Sequence, residues 1–348
     1  MRLGIVGSPA DLQVGAVAAK LRSFGAAVAI VDPTGLERGE GVSSDGHRFF
    51  FGGDPLDDVG AFWLRHSPKT MPPTFTIDER YVLFDDWFAR YMALREQHGF
   101  FFSWLIERSH RGVPIINPVE LAAQIQLKPF QLSAASARGL ALPRTCITND
   151  PARVHAFVRE IGRPGDVVFK PTMGGALVEV LDEVALARLG RVTRAPVTFQ
   201  EKIIGDNVRL TVVDDEVVSA VRIPADTLDF RADDAYRAGA TVYEGVDVPD
   251  EVAAGCRALL KDVGLVISGI DFIVRDGVWF FLEANPAPIW LDIEQKTGAG
   301  ISTAIAALLL RLSRASGAER LRARLAEAGT TSSFCRYAYP QNPRRRMA

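Results

Sequence analysis

The chain opens with a short continuous apolar run, Arg2-Leu3-Gly4-Ile5-Val6-Gly7, which reads as a buried strand. A helical stretch follows to about Phe24, and a second apolar run at Val28 to Val31 completes a βαβ opening. No GxGxxG accompanies it, so the opening carries no dinucleotide fingerprint. Another apolar strand, Ala61 to Leu64, ends at Arg65. After Asn117-Pro118, helical spacing runs through Ala122 to Ala137 and stops at Arg138-Gly139. A strand is predicted at Arg144 to Ile147, and Asp150-Pro151 is a cap-and-proline start for a helix to Ile161. Asp166 to Lys170 reads as a strand entering Pro171-Thr172-Met173-Gly174-Gly175. Strands dominate from Val197 to Ile223, a helix covers Asp250 to Val263, a hairpin spans Ser268 to Glu283, and helices close the chain from Gly298 onward. Helices and strands interleave throughout, which predicts an α/β (α+β) protein.

One stretch departs from this rhythm. Residues 72 to 106 hold ten aromatics, with Tyr81, Phe84, Trp87 or Phe88, and Tyr91 at helical spacing behind Pro72-Pro73. Two readings stay open: a helix turning an aromatic face into the core, or a groove for a partner.

Composition adds mostly exclusions. With 348 residues, 48% hydrophobic and 24% charged, the chain has the make-up of an ordinary globular enzyme of two or three compact units. A formal net charge of -2 gives no reason to expect nucleic acid or a membrane surface as a partner. The basic run Arg344-Arg345-Arg346 reads as a solvated end. Cys146, Cys256 and Cys335 are widely spaced and odd in number, which argues against a disulfide framework or a zinc site. The opening lacks a signal-peptide pattern, and the apolar stretch Ile301 to Leu312 is too short to span a bilayer, so a cytoplasmic location is expected. The chain uses thirty-three arginines and only seven lysines. Positions that remain lysine are therefore candidates for a role that needs a compact charge on a flexible stem.

Candidate chemistry concentrates in the late hairpin. Asp271 lies in its first strand, and Glu283 and Asn285 lie two apart in its second, projecting from one face. A two-residue Asp276-Gly277 turn would pair Asp271 with Leu282 and send it to the other face. A three-residue Arg275-Asp276-Gly277 loop pairs it with Phe281 and unites all three, and this loop is predicted. Two carboxylates and an amide oxygen suit a hard cation such as Mg²⁺ bridging phosphates. The strand bearing Lys170 enters a Gly174-Gly175 loop, as a polyphosphate site requires. Lys128 sits on the helix after Asn117-Pro118. Phe199-Gln200-Glu201-Lys202-Ile203-Ile204-Gly205-Asp206-Asn207-Val208-Arg209 offers strand backbone for a base, acidic or polar groups for a ribose, and an arginine on the next strand.

The order of these parts resembles the ATP-grasp superfamily over residues 117 to about 312, and the combination is more specific than any part. The resemblance implies an ATP-grasp fold, with an N-terminal α/β pre-ATP-grasp domain at 1–116. Two lobes, 117–198 and 199–325, would sandwich ATP, with a tail at 326–348. It implies that Lys128 and Lys170 contact ATP phosphates beside Gly174 and Gly175, that Gln200, Glu201 and the backbone at Ile203 and Ile204 hold adenine, and that Asp206 or Asn207 holds the ribose. Asp271, Glu283 and Asn285 would hold two Mg²⁺ ions, with Arg209 steadying the transferred phosphate. Within the superfamily the chain is most similar to the branch of ribosomal-protein glutamate ligase and the microviridin-type (graspetide) peptide macrocyclases. Phe62-Trp63-Leu64-Arg65, Ile116-Asn117-Pro118, Asp229-Phe230-Arg231 and Leu282 to Glu294 carry that similarity. His66, Asn207 and Pro288-Ile289 depart from the branch's usual residues.

The activity implied is an ATP- and Mg²⁺-dependent carboxylate ligase acting through an acyl phosphate, forming an amide or an ester. Arg209, Arg222 and Arg231 are candidates to bind the carboxylate or acyl phosphate. Three versions remain: a ligase joining side chains within a precursor peptide held by 72–106, a ligase adding a free amino acid to a small molecule or protein, and a kinase or non-catalytic ATP-binding protein. ATP, an acceptor carboxylate and a second copy in a homodimer are the expected partners.

Overall fold

The computed structural model describes residues 1–65, 87–119, 127–173 and 177–314, with backbone alone for 37 and 87–92. His66, Pro72-Pro73, Tyr81, Phe84, Gly174, Gly175, Cys335 and the tail lie outside the described residues, as do the side chains of Trp87, Phe88 and Tyr91.

The N-terminal pattern folds as read. Strands β1 (Arg2–Val6), β2 (Ala27–Val31), β5 (Val59–Leu64) and β6 (Ile115–Ile116) form a parallel sheet of order β2-β1-β5-β6. Alternation sends Leu3, Ile5, Ala61 and Trp63 to one face, against helices α1 (Leu12–Ser23) and a closing helix at Ile301–Arg314. Val6, Phe62 and Leu64 take the other face, covered by α2 (Trp87–His110) through Phe101, Trp104 and Leu105. The described end of the aromatic stretch therefore turns Phe101 and Trp104 into the core. A small hairpin, β3 (Val42–Ser44) and β4 (Phe49–Phe51), adds Phe51 against Trp104, with ring centroids 4.6 Å apart. That hairpin has no alternating pattern long enough to read in advance.

An antiparallel sheet of order β7-β10-β8-β9 follows, from β7 (Thr145–Thr148), β8 (Val167–Pro171), β9 (Glu179–Val180) and β10 (Val197–Glu201). Helix α4 (Pro151–Ile161) packs Val154, Phe157 and Val158 onto its Val167 and Phe199. Asp150 caps that helix by accepting the Ala152 N–H at 2.9 Å, with proline at the first turn where no amide bond is lost.

The third sheet is antiparallel, order β13-β12-β11-β14-β15. Its strands are β11 (Asp206–Val213), β12 (Glu216–Arg222), β13 (Glu244–Gly245), β14 (Ile267–Arg275) and β15 (Val278–Asn285). One face packs on α3 (Lys128–Ala137) and α5 (Asp250–Val263) through Leu210, Ile270, Phe272 and Phe281 against Leu132, Cys256 and Leu259. The opposite face is the polar one. Short helix α6 (Leu291–Thr297) and the closing helix α7 (Ile301–Arg314) return the chain to the first sheet.

The hairpin turn corrects the prediction. Arg275 pairs with Val278, so the connection is the two-residue Asp276-Gly277 turn, not a three-residue loop. Both residues have positive φ, +52° and +77°, as a type I′ turn demands. Phe272 then pairs with Phe281, but Asp271 pairs with Glu283, because Leu282 is an extra residue in a bulge. The three oxygen-bearing residues still share a face, through the bulge and not the turn.

Gly205 sets the spacing where the chain enters β11. A Cβ there would lie 2.3 Å from the Val274 carbonyl oxygen and 2.9 Å from its carbon, both backbone atoms that cannot rotate aside. Gly205→Ala should cost about 1–3 kcal/mol by overpacking. A denaturation midpoint equal to wild type would contradict that close approach.

Candidate active site

A cavity of about 490 Å³ opens between the β7-β10-β8-β9 sheet and the polar face of the β11–β15 sheet. Register across three neighbouring strands builds its floor. Arg209 of β11 is paired with Asp271 of β14, which is paired with Glu283 of β15. Lys128, at the first turn of α3, reaches Glu283 from the side. The result is a row of charges: arginine, aspartate, glutamate, lysine.

Arg209 and Asp271 form a buried, two-pronged pair, Nε to Oδ1 at 2.7 Å and Nη2 to Oδ2 at 2.8 Å. Phe230 stacks under the guanidinium, whose carbon lies 5.2 Å from the ring centroid. Removing either partner would strand a charge in the interior, at a cost of about 3–5 kcal/mol. Burial alone would lower the pKa of Arg209, but Asp271 outweighs it and the net shift is upward. Burial likewise favours the neutral acid at Glu283, yet Lys128, Lys170 and Arg231 overcome it and hold the carboxylate below its usual range. Asp229 grips Arg231 in the same way, through Nε to Oδ1 at 2.8 Å and Nη2 to Oδ2 at 2.6 Å, which raises the guanidinium pKa.

Lys170 is the exception. At the end of β8, facing this array, its ammonium is pushed down to about 8, first by burial and then by Lys128. Its surroundings therefore disfavour the charged form.

The predicted residues divide clearly. The cavity wall unites Lys128, Lys170, Gln200, Glu201, Ile203, Asn207, Arg231, Asp271, Glu283 and Asn285. Arg209 stands behind the wall, holding Asp271. Three candidates are not brought to it. Ile204 is 67% exposed. Asp206 and Arg222 pair with each other at 3.2 Å on the surface, where Arg222 also binds Glu244. Gln200 is buried, its Nε2 donating to the Thr145 hydroxyl at 3.0 Å. Asn285 Oδ1 accepts the Ala287 N–H at 2.9 Å.

Sequence reasoning passed over Lys202 and Gln131, which also line the cavity. The scarcity of lysine was a signal for Lys202. Gln131 carried none, because a helical glutamine is ordinarily a solvated one.

The donor set fits Mg²⁺. Asp271 and Glu283 are cross-strand neighbours, Asn285 is two residues further along the same face, and all offer hard oxygens. Arg209 and Lys128 now sit on these carboxylates, but a carboxylate has about four acceptor positions, so lone pairs remain for a metal. No group of three His, Cys, Asp or Glu side chains able to hold a metal occurs among the described residues, and the candidate set is two carboxylates and the Asn285 amide.

A two-sheet clasp over a charged cavity is the architecture of the ATP-grasp proteins, and residues 123–309 match the RimK-like ATP-grasp domain. The chain belongs to that family. A probable alpha-L-glutamate ligase of Shewanella amazonensis is 28% identical over 204 residues, covering 56% of this chain and 66% of that protein. One from Xanthomonas euvesicatoria pv. vesicatoria is 29% identical over 194 residues, covering 53% and 64%. The chain thus spans just under two thirds of the length of these relatives. The structure of the ATP-grasp ligase PsnB, complexed with a precursor variant, Mg and ADP, is 31% identical, with a TM-score of 0.76 over 90% of this chain and 98% of PsnB. The macrocyclase MdnC from Microcystis aeruginosa, bound with precursor peptide MdnA, shares the fold at 22% identity and a TM-score of 0.69 over 89% of this chain and 99% of MdnC.

Lys170 makes stability depend on pH. Its pKa falls from 10.5 to about 8 on folding, so between those values the unfolded chain holds the proton and the folded chain does not. Stability therefore rises with pH through that window, as the cost of the charged form below it is relieved. Lys170→Met should be more stable than wild type at pH 7, with the advantage fading as pH rises past 8. A difference that stays constant with pH would refute the depressed pKa.

Proposed function

We propose that this protein is an ATP- and Mg²⁺-dependent carboxylate ligase that joins side chains within a ribosomally made precursor peptide. One observation carries the reading: the convergence of Lys128, Lys170, Arg231, Asp271, Glu283 and Asn285 on a single cavity. Four-carbon stems let Lys128 and Lys170 follow a polyphosphate. Gln200, Glu201 and Ile203 take the adenine end, and Asn207, which lines the cavity where Asp206 does not, takes the ribose. Asp271, Glu283 and Asn285 hold two metal ions. Bound Mg²⁺ supplies neutralisation of phosphate charge and alignment of the γ-phosphoryl group. Arg231, fixed by Asp229, takes the acceptor carboxylate bidentately.

The chemistry balances simply. A carboxylate oxygen bonds to the γ-phosphorus as the bond to the bridging oxygen breaks, giving an acyl phosphate and ADP. An amine or hydroxyl then bonds to the acyl carbon, phosphate leaves, and the nucleophile's proton passes to solvent. The protein's share is positioning and charge compensation. Arg209 acts from behind Asp271, which it holds by two bonds.

The peptide substrate rests on extent of similarity. PsnB, solved with a minimal precursor, matches over 90% of this chain, including the N-terminal layer. The glutamate ligases match only 53–57% of it. Addition of a free amino acid is the second reading, since those relatives carry that name. A homodimeric assembly working in the cytoplasm belongs to the same proposal. No described helix is long and apolar enough to cross a membrane.

The test is the product mass after incubation with MgATP and a peptide rich in Thr, Ser, Glu, Asp or Lys from the neighbouring reading frame. Loss of one water per bond supports macrocyclisation. Gain of an amino-acid residue supports the second reading, and gain of a stable phosphate overturns both. Glu283→Gln should abolish ADP formation with secondary structure intact by circular dichroism. Normal turnover in that variant would remove the metal assignment.

A further inference from the structure

The segment leaving the floor of the cavity, residues 284 to 290, is bonded to side chains from four distant places. Gln131 of α3 donates from Nε2 to the Ala284 carbonyl at 2.9 Å and accepts the Ala284 N–H at Oε1, also at 2.9 Å. Asn117, after β6, donates from Nδ2 to the Pro286 carbonyl at 2.9 Å and to the Ile267 carbonyl at 2.8 Å. Its Oδ1 accepts from the Val266 and Ile267 N–H groups, so its amide ties β14 to this segment. Arg65 donates to the Pro288 carbonyl at 2.8 Å, and Gln13 accepts the Trp290 N–H at 2.9 Å.

All four side chains are buried, between 4% and 6% exposed. They meet every second residue: 284, 286, 288 and 290. Buried polar groups at this depth are costly unless bonded, and here each of the four places at least one bond on the backbone that leads on from Glu283. Gln131 has the most direct lever. It fixes both backbone groups of the one residue between those two side chains, and it stands three positions from Lys128 on the same helix.

We propose that Gln131 is a positioning residue for the metal ligands: it sets the rotation of Ala284, and so the angle at which Glu283 and Asn285 enter the cavity. The inference rests on the assignment of Glu283 and Asn285 as metal ligands. In β15 the bulge at Leu282 interrupts the ladder on one side of Glu283, while Glu283, Ala284 and Asn285 remain paired with Asp271, Ile270 and Gly269. An outside clasp on the next residue replaces the constraint that the ladder gives up. Residues that orient metal ligands from behind typically contribute 10–100-fold to metal affinity.

The experiment is Mn²⁺ binding measured by electron paramagnetic resonance in the presence of ADP, with thermal unfolding of the same samples. Gln131→Met keeps the side-chain length and removes both bonds. It should weaken Mn²⁺ binding by roughly 10-fold or more, and raise the Mg²⁺ concentration needed for ADP formation in parallel. Leu132→Ala, on the same helix in the core, should lower the unfolding midpoint without moving the Mn²⁺ titration. If Gln131→Met does not fold, Gln131→Asn, one methylene shorter, takes its place. An unchanged Mn²⁺ titration in the folded variant, with only stability lost, overturns the proposal. Glu283→Gln separates the two levels. If it abolishes Mn²⁺ binding while Gln131→Met does not affect it, the clasp fails and the metal site stands. If Glu283→Gln leaves Mn²⁺ binding intact, the metal assignment itself fails.

Discussion

One extra residue in a strand decides whether this protein has a site. A two-residue turn at Asp276-Gly277 places Arg275 opposite Val278, and strict pairing from there would set Asp271 opposite Leu282. With a side-chain period of two, Glu283 would then leave from the other face of the sheet. The bulge at Leu282 removes the conflict and brings Asp271 opposite Glu283, with Phe281 and Ala284 both turned toward the helices on the far side. The apolar and the charged requirements of the same strand are met by a single irregularity, which is where bulges tend to occur in functional sheets.

The charges so aligned need one another. Asp271 and Glu283 lie opposite each other on neighbouring strands, where like charges are unfavourable without compensation. Arg209 beyond one and Lys128 beyond the other supply the compensation through direct contact. The pairing differs in kind at the two ends. Arg209 is clamped by two short bonds and a stacked ring, a geometry that a lysine cannot reproduce. Lys128 and Lys170 make no such fork and can shift toward an incoming anion. Lys170 has no ion pair among the described residues and loses its proton more easily than usual, so under the proposed function it is the lysine that a polyphosphate would stabilise. The cavity is therefore preorganised at its floor and adaptable at its sides.

Much of this was legible in the chain. Short continuous apolar runs gave β1, β2 and β5, and the helix at Asp250 to Val263 has first-turn acids at one end and a C-terminal glycine at the other. Lys128, Lys170, Asp271 and Glu283 were visible because each broke an apolar pattern or belonged to the small lysine set. The turn was misread because a single strand's alternation contains no record of a bulge in its partner; Leu282 is as apolar as its neighbours. Asp206 was drawn toward the site by order along the chain, and Arg222 by the fit of a guanidinium to a carboxylate, but they lie where the strands reach solvent, and there they satisfy each other. Gln131 and Gln13 were invisible for a different reason. Their bonds go to backbone 153 and 277 residues away, and backbone acceptors leave no trace in residue type.

Those distant bonds also explain why the N-terminal layer cannot be treated as a separate attachment. Arg65 lies at the carboxyl end of β5, in the crevice where an α/β sheet usually receives a ligand. Here its guanidinium is spent on Asp11 and the Pro288 carbonyl, and it stacks near Trp290. The crevice is thus filled by the protein's own chain, running straight on from Glu283 and Asn285. A displacement of the first sheet would pull on residues 286–290 and through them on the charged row, because buried, fully bonded contacts transmit strain and do not absorb it. The Pro286-Ala287 end of the cavity is lined by this segment, and the segment is held from behind by Asn117 at Pro286 and by Arg65 at Pro288.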